Sequence, residues 1–303
     1  MGGMNCSGRR SASLVLALFA AFSSWSGQGI SPNVALAIYS RTTNQFAAGI
    51  FLKPAQATNA GLACQLAPLI IQQVPDGPLS ADASRDQFGA PGISNGVPAL
   101  NPSRPAVYWA ADTVPLNGRV HVRLSWQWWY PPRPSSSYVA ATLPRQGVRI
   151  TLDSQGRPAI WEILTDTSGR QLVFISGSLE AAAAAEFGKP LAGRQYSIER
   201  SLEEAPDVIV PRVIDDGPMA DGPIVYLGEG TRNVCALICR CMPAQVKQLA
   251  ATRTFDLIPL DAGAMNALQA AAGADLNALP AVWPGDRRSN NHLGTRLRLP
   301  AKF

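Results

Sequence analysis

The stretch VCALICRCMP, from Val234 to Pro243, places Cys235, Cys239 and Cys241 within seven residues, three of the five cysteines in the chain. Read as a strand it alternates faces, so Cys235, Leu237, Cys239 and Cys241 share one side. Flanking Gly228, Gly230 and Pro243, and the IVYLGEG run before it, favour the strand over a helix. Thiolates are soft ligands suited to copper or zinc, and Met242, Cys64 or His121 could supply a further donor. The C-x3-C-x-C spacing is neither the paired C-x2-C of structural zinc sites nor the C-x-x-C-H of haem attachment. Two other readings compete. The cysteines can pack as small hydrophobes, or they can form disulfides with Cys64 as the distant partner, because same-face neighbours such as Cys239 and Cys241 splay beyond bridging reach.

Carboxylates offer the second chemistry. Glu162 sits on the apolar run RPAIWEILT, where desolvation would raise its pKa and a nearby Arg149 would lower it, which makes it a candidate general acid or base. His121 is one of only two histidines and the candidate partner. If Glu162 is instead an ordinary surface pair, Glu162→Gln should cost no more than about 1 kcal/mol. In DDGPMADGP, Asp215, Asp216 and Asp221 lie on one Gly-Pro loop that could hold a hard cation such as calcium or magnesium. Asp-Gly-Pro is also plain turn chemistry, and it recurs at Asp76 to Pro78.

These residues must be positioned by strands. In GRVHVRLSWQWWYPP, Val122, Leu124, Trp126, Trp128 and Tyr130 alternate with His121, Arg123, Ser125, Gln127 and Trp129, the pattern of a half-buried strand. Tryptophans so placed are core, and Trp129, on the polar side, is the candidate for stacking a ligand. GVRITL, DSQG, RPAIWEILT, DTSG and RQLVFIS read as a three-strand antiparallel meander. Its turns set Val148 opposite Trp161 and Trp161 opposite Phe174. One face then carries Val148, Trp161, Ile163, Leu172 and Phe174, and the other carries Arg149, Ile160, Glu162, Val173 and Ile175, with Arg149 diagonal to Glu162 and available to ligands.

Around this meander the sequence predicts an α+β fold. An antiparallel sheet takes strands near 120–130, 147–176, 208–214, 223–228 and 233–241, and short helices at 178–187 and 243–252 flank it. Before it, residues 30 to 74 read as interrupted helix, with Leu62, Leu66, Leu69 and Ile70 at helical spacing, and 75–105 as a Pro- and Gly-rich linker. The expected division is a signal peptide at 1–29, the helical segment and linker at 30–105, an α+β domain at 106–283 and a basic tail at 284–303, read as a solvated arm.

The signal peptide reading rests on Arg9 and Arg10, then SLVLALFAAF, then SSWSGQG: basic, apolar, then small residues. The apolar run is too short for a bilayer, which needs about 20 residues. The location expected is secreted or periplasmic, an oxidising setting for the cysteines. Loss of the two arginines lowers the formal charge from +5 to +3. So mild a balance argues against a nucleic-acid partner, leaving the basic tail as the place for an anionic one. Gly-rich phosphate loops, H-E-x-x-H and dinucleotide fingerprints are all missing. The function expected is an exported soluble binding or structural protein, with a cysteine-lined metal or disulfide site as an option. The alternative is an exported hydrolase using Glu162 with His121 or the aspartate loop.

Overall fold

The computed structural model describes residues 49–55, 61–74, 87–95, 97–131, 145–164, 171–216, 222–228, 232–238, 249–261 and 292–303. Among them run strands β1 (Gly49–Pro54), β2 (Leu69–Gln73), β3 (Ala90–Ser94), β4 (Val97–Asn101), β5 (Ala106–Leu116), β6 (Arg119–Trp129) and β7 (Arg145–Leu152). After these come β8 (Pro158–Ile163), β9 (Gln171–Ser176), β10 (Val208–Ile209), β11 (Val213–Ile214), β12 (Ile224–Leu227), β13 (Val234–Ile238) and β14 (Leu249–Pro259). Three short helices accompany them: α1 (Leu62–Gln65), α2 (Gly177–Phe187) and α3 (His292–Arg296). The signal peptide stretch, the Ala-rich segment after 261, Arg287 and Arg288 lie outside the described residues.

One sheet dominates, in the order β10-β9-β8-β7-β6-β5-β14-β1-β2-β12-β13, with β11 beside β10 on β9 and a separate β3–β4 hairpin. It is a mixed half-barrel, and the expected antiparallel sheet after a helical segment is wrong in two ways. The antiparallel run is β5 to β9, longer than a three-strand meander. Parallel pairs then join β5 to β14, β14 to β1 and β2 to β12. The stretch read as helix over residues 30–74 contains β1 and β2 around a helix of one turn. Leu62 and Leu66 do belong to that turn or its cap, but Pro68 cannot continue it. β-Branched Ile70 and Ile71 go on as strand, and a short apolar run does not reveal which period it will adopt. Leu249 to Thr252, expected to end a helix, start β14 instead, because parallel pairing with β1 outweighs the helix propensity of two alanines.

Curvature is visible in one contact. Six strand positions separate β6 from β13, which is about 29 Å on a flat sheet. Yet Arg232, just before β13, donates from Nη1 to Pro131 O at 2.7 Å, just beyond β6, and its guanidinium lies 5.1 Å from the centre of the Tyr130 ring. The sheet therefore curls, and its concave side is a single apolar core. Leu124, Trp126, Trp128 and Tyr130 enter that core from β6 and its end, with Val148 and Ile150 from β7 and Trp161 and Ile163 from β8. Phe88 fills the hollow, with ring centres 6.0 Å from Trp128 and 6.3 Å from Phe255. The β5–β6 hairpin turns through Asn117 and Gly118, both at positive φ, the conformation that matches strand twist in a two-residue turn.

On the convex side of β7 to β9 a second core gathers Ile160, Val173 and Ile175 with Leu179 and Ala183 of α2 and Leu293, Leu297, Leu299 and Phe303. Over 292–303 the basic tail is thus packed rather than solvated. Arg296 pairs with Asp207 at 2.5 Å, and Arg298 donates to Glu199 O at 3.0 Å and to Ser197 O. Arg194 and Glu199, both almost fully buried and 3.4 Å apart, tie the loop between α2 and β10 together. Burial pushes the Glu199 carboxyl above its ordinary value, while N–H groups of Tyr196, Gln195 and Val210 and the Arg194 charge pull it back. A raised folded pKa means that the native state holds the proton more tightly than the unfolded chain. This contribution to stability is therefore full below about pH 4.5, the ordinary value, and is lost as pH rises through the folded pKa. Glu199→Gln should flatten that part of the stability–pH curve, measured by urea unfolding from pH 4 upward.

Candidate functional site

Parity brought Glu162 and Arg149 to one face, and the structure joins them directly. Arg149 Nε donates to Glu162 Oε2 at 2.6 Å and Nη2 to Oε1 at 2.8 Å, and Gln171 Nε2 adds a bond to Oε1 at 3.0 Å. The two residues face each other in register, not diagonally, because a bulge at Thr151 and Leu152 shifts the β7–β8 pairing and sets Val148 opposite Ile163. Beyond the turn of β8 the expected pairing of Trp161 with Phe174 is present. Glu162 is 0% exposed and Arg149 3%. A carboxylate clasped on both oxygens and sealed from solvent has the geometry of a structural pair, and Arg149 is closed to ligands for the same reason.

His121 is not brought to Glu162. Ser125, Arg149 and Glu162 lie in one row across β6, β7 and β8, and His121 is four residues further along β6. The offset is about 13 Å along the strand and two strands across. There Nδ1 donates to Leu152 O at 2.9 Å, and the ring stacks on Phe303 with centres 4.4 Å apart. Trp129 is buried too, edge-on to Tyr108 at 5.2 Å, so its face is not offered to a ligand.

Asp216 caps α2: its Oδ2 accepts from Ser178 N at 2.6 Å, complementing the positive end of the helix. Asp215 is exposed and Asp221 lies outside the described residues. In β13 a register shift pairs Tyr226 with Ala236 and Leu227 with Val234, leaving Cys235 as the extra residue of a bulge. Cys235 packs beside Ala236 and Ile238 on the outer face, whereas Leu237 enters the main core. Strict alternation of Cys235 with Leu237 therefore fails. Cys64 on α1 is a free thiol and is not bonded to Cys235. Cys239, Cys241 and Met242 lie outside the described residues. Among the described residues no three His, Cys, Asp or Glu side chains are grouped to hold a metal ion, and no helix is long and apolar enough to cross a membrane.

A different site is built at the β1–β14 seam. An open groove of about 610 Å³ is lined by Lys53 of β1, Thr252, Arg253 and Thr254 of β14, and Ser103 and Pro105 from the β4–β5 connection. Its volume falls in the range of small-molecule sites, roughly 300–1,000 Å³. Parallel pairing sets Lys53 beside Thr254 and Leu52 beside Arg253. Arg253 shares the parity of buried Phe255 and so leans toward the concave side, where Nη1 donates to Gln87 Oε1 at 2.7 Å. Among the described residues no carboxylate pairs with Lys53 or Arg253, and nearby Asp256 is engaged by Arg104 at 3.8 Å. Lys53 with the hydroxyl side chains of Ser103, Thr252 and Thr254 makes a surface that attracts an anion and can hydrogen-bond its oxygens, while the Arg253 guanidinium turns to the opposite, concave side. The sequence reading missed this site, since its residues come from three segments spread over two hundred positions, and the only local trace is the Thr-Arg-Thr triplet. No protein-family model, curated protein or solved structure matches this chain.

Proposed function

We propose that this is an exported binding protein whose groove at the β1–β14 seam takes a small anion. The observation that carries the reading is Lys53, with no carboxylate paired to it among the described residues, beside Ser103, Thr252 and Thr254 in one groove of ligand size. Export is supported by the basic, apolar and small-residue order of the first 29 residues. The hydrolase alternative has less support, since both oxygens of Glu162 are occupied and His121 is remote from it.

Native mass spectrometry of protein purified from its own source is the direct test. Wild-type protein should release an anionic small molecule on denaturation, and the Lys53→Met, Arg253→Gln double variant should not. Equal release from both would exclude the groove.

A further inference from the structure

Far from the groove, the β5–β6 turn carries a covalent chemistry of its own. Asn117 and Gly118 form it at φ 49° and 75°, and a Cβ added to Gly118 would meet nothing within 4 Å. In an Asn-Gly pair the glycine nitrogen can attack the asparagine Cγ, because no side chain shields that nitrogen. The new N–Cγ bond closes a succinimide ring and ammonia leaves. Water then opens the ring at either carbonyl, to aspartate or to isoaspartate, so the step consumes water and needs no oxidant or cofactor.

The Asn117 amide is engaged. Its Nδ2 donates to Leu299 O at 2.7 Å and to Pro300 O at 3.0 Å. Two residues on, Arg119 Nη1 donates to Phe303 O at 3.3 Å, and the Phe303 ring lies over the buried His121. On α2, Glu186 Oε2 accepts from Ala301 N at 2.8 Å. Residues 299–303 are thus clasped between the turn and α2. Attack on Cγ requires the amide to leave both carbonyls, so the docked segment protects Asn117. Conversion acts in return on the segment. A carboxylate only accepts, and it would face two carbonyl oxygens that have lost their donors. Isoaspartate would in addition lengthen the main chain of a two-residue turn.

We propose that Asn117 is a deamidation site that works as a one-way latch: the amide holds residues 299–303 over His121, and its conversion releases them. Asn95-Gly96 is the same dipeptide and serves as an internal control. Asn95 also sits at positive φ, 51°; it is exposed, and among the described residues nothing holds its side chain.

Peptide mapping by mass spectrometry of wild-type protein aged in mildly alkaline buffer, with amide hydrogen exchange of variants, tests both directions. Asn117 should convert at least about tenfold more slowly than Asn95, as expected when two hydrogen bonds must open first. Phe303→Ala loosens the segment and should speed conversion of Asn117 while leaving Asn95 unchanged. Asn117→Asp should raise exchange at the Ala301 and Phe303 amides by about tenfold or more, whereas Asn95→Asp should leave it as in wild type. Aspartate tolerates the left-handed region as asparagine does, so the substitution spares the turn and reads the clasp. Conversion of Asn117 as fast as Asn95, or no conversion of Asn117 even in the Phe303→Ala protein, would overturn the proposal. Wild-type exchange in Asn117→Asp would overturn it equally. The comparison of Asn117 with Asn95 in wild-type protein stands even if Phe303→Ala does not fold.

Discussion

Glu162→Ala is expected to destabilise the protein by about 3–5 kcal/mol, the usual result of leaving a buried charge without its partner. Arg149 is 3% exposed and would keep its charge, since a guanidinium does not give up its proton in a protein. The cost is thus several times the 1 kcal/mol or so of a surface pair, which is what the sequence reading allowed for Glu162 if it were not catalytic. Replacing both partners, Arg149→Met with Glu162→Leu, should recover most of the loss, because the buried charge goes with the arginine. Urea unfolding of the two single variants and the double variant measures this coupling. A loss under about 1 kcal/mol for Glu162→Ala would mean that Arg149 reaches water in the folded protein.

Trp126→Ala should cost a similar amount, about 3–5 kcal/mol. Trp126 is fully buried, flanked across the sheet by Trp109 of β5 and Val148 of β7. Removing its ring opens a cavity in the main core, and neighbours fixed in the sheet collapse into it poorly. Among the described residues its indole N–H has no partner, so Trp126→Phe removes an unsatisfied donor along with some volume and should cost clearly less than Trp126→Ala. Thermal unfolding of the two variants orders them. The reverse order would place the indole in a polar contact rather than in the core.

Both residues were legible in the sequence because their signals are local. Trp126 belongs to an alternation unbroken from His121 to Tyr130, and the observed β7–β8 register differs from the expected one by two residues, which keeps Arg149 and Glu162 on one face. What parity does not reveal is exposure: the face carrying Glu162 is covered by α2 and by Leu293, Leu297 and Phe303, and this covering comes from distant chain. The same limit hid β1, β2 and the start of β14. β1, β2 and β14 are held by pairings over long sequence separations, and within each segment the residues accommodate a helical period as readily as a strand. Cys235 shows a smaller version of the problem. One bulge shifted its side chain from the face that alternation assigns, and nothing in VCALI marks the bulge. The groove is the extreme case, since Lys53, Ser103 and Arg253 become neighbours only through the parallel seam.

The central claim is that this seam binds an anion, and titration of inorganic phosphate into wild-type protein and the Lys53→Met, Arg253→Gln double variant, followed by calorimetry at low salt, addresses it directly. The wild type should show saturable binding that weakens as salt screens Lys53, and the double variant should bind at least about tenfold more weakly, as expected on losing a charge-assisted contact. Identical titrations of the two proteins, or no binding to either, would contradict it.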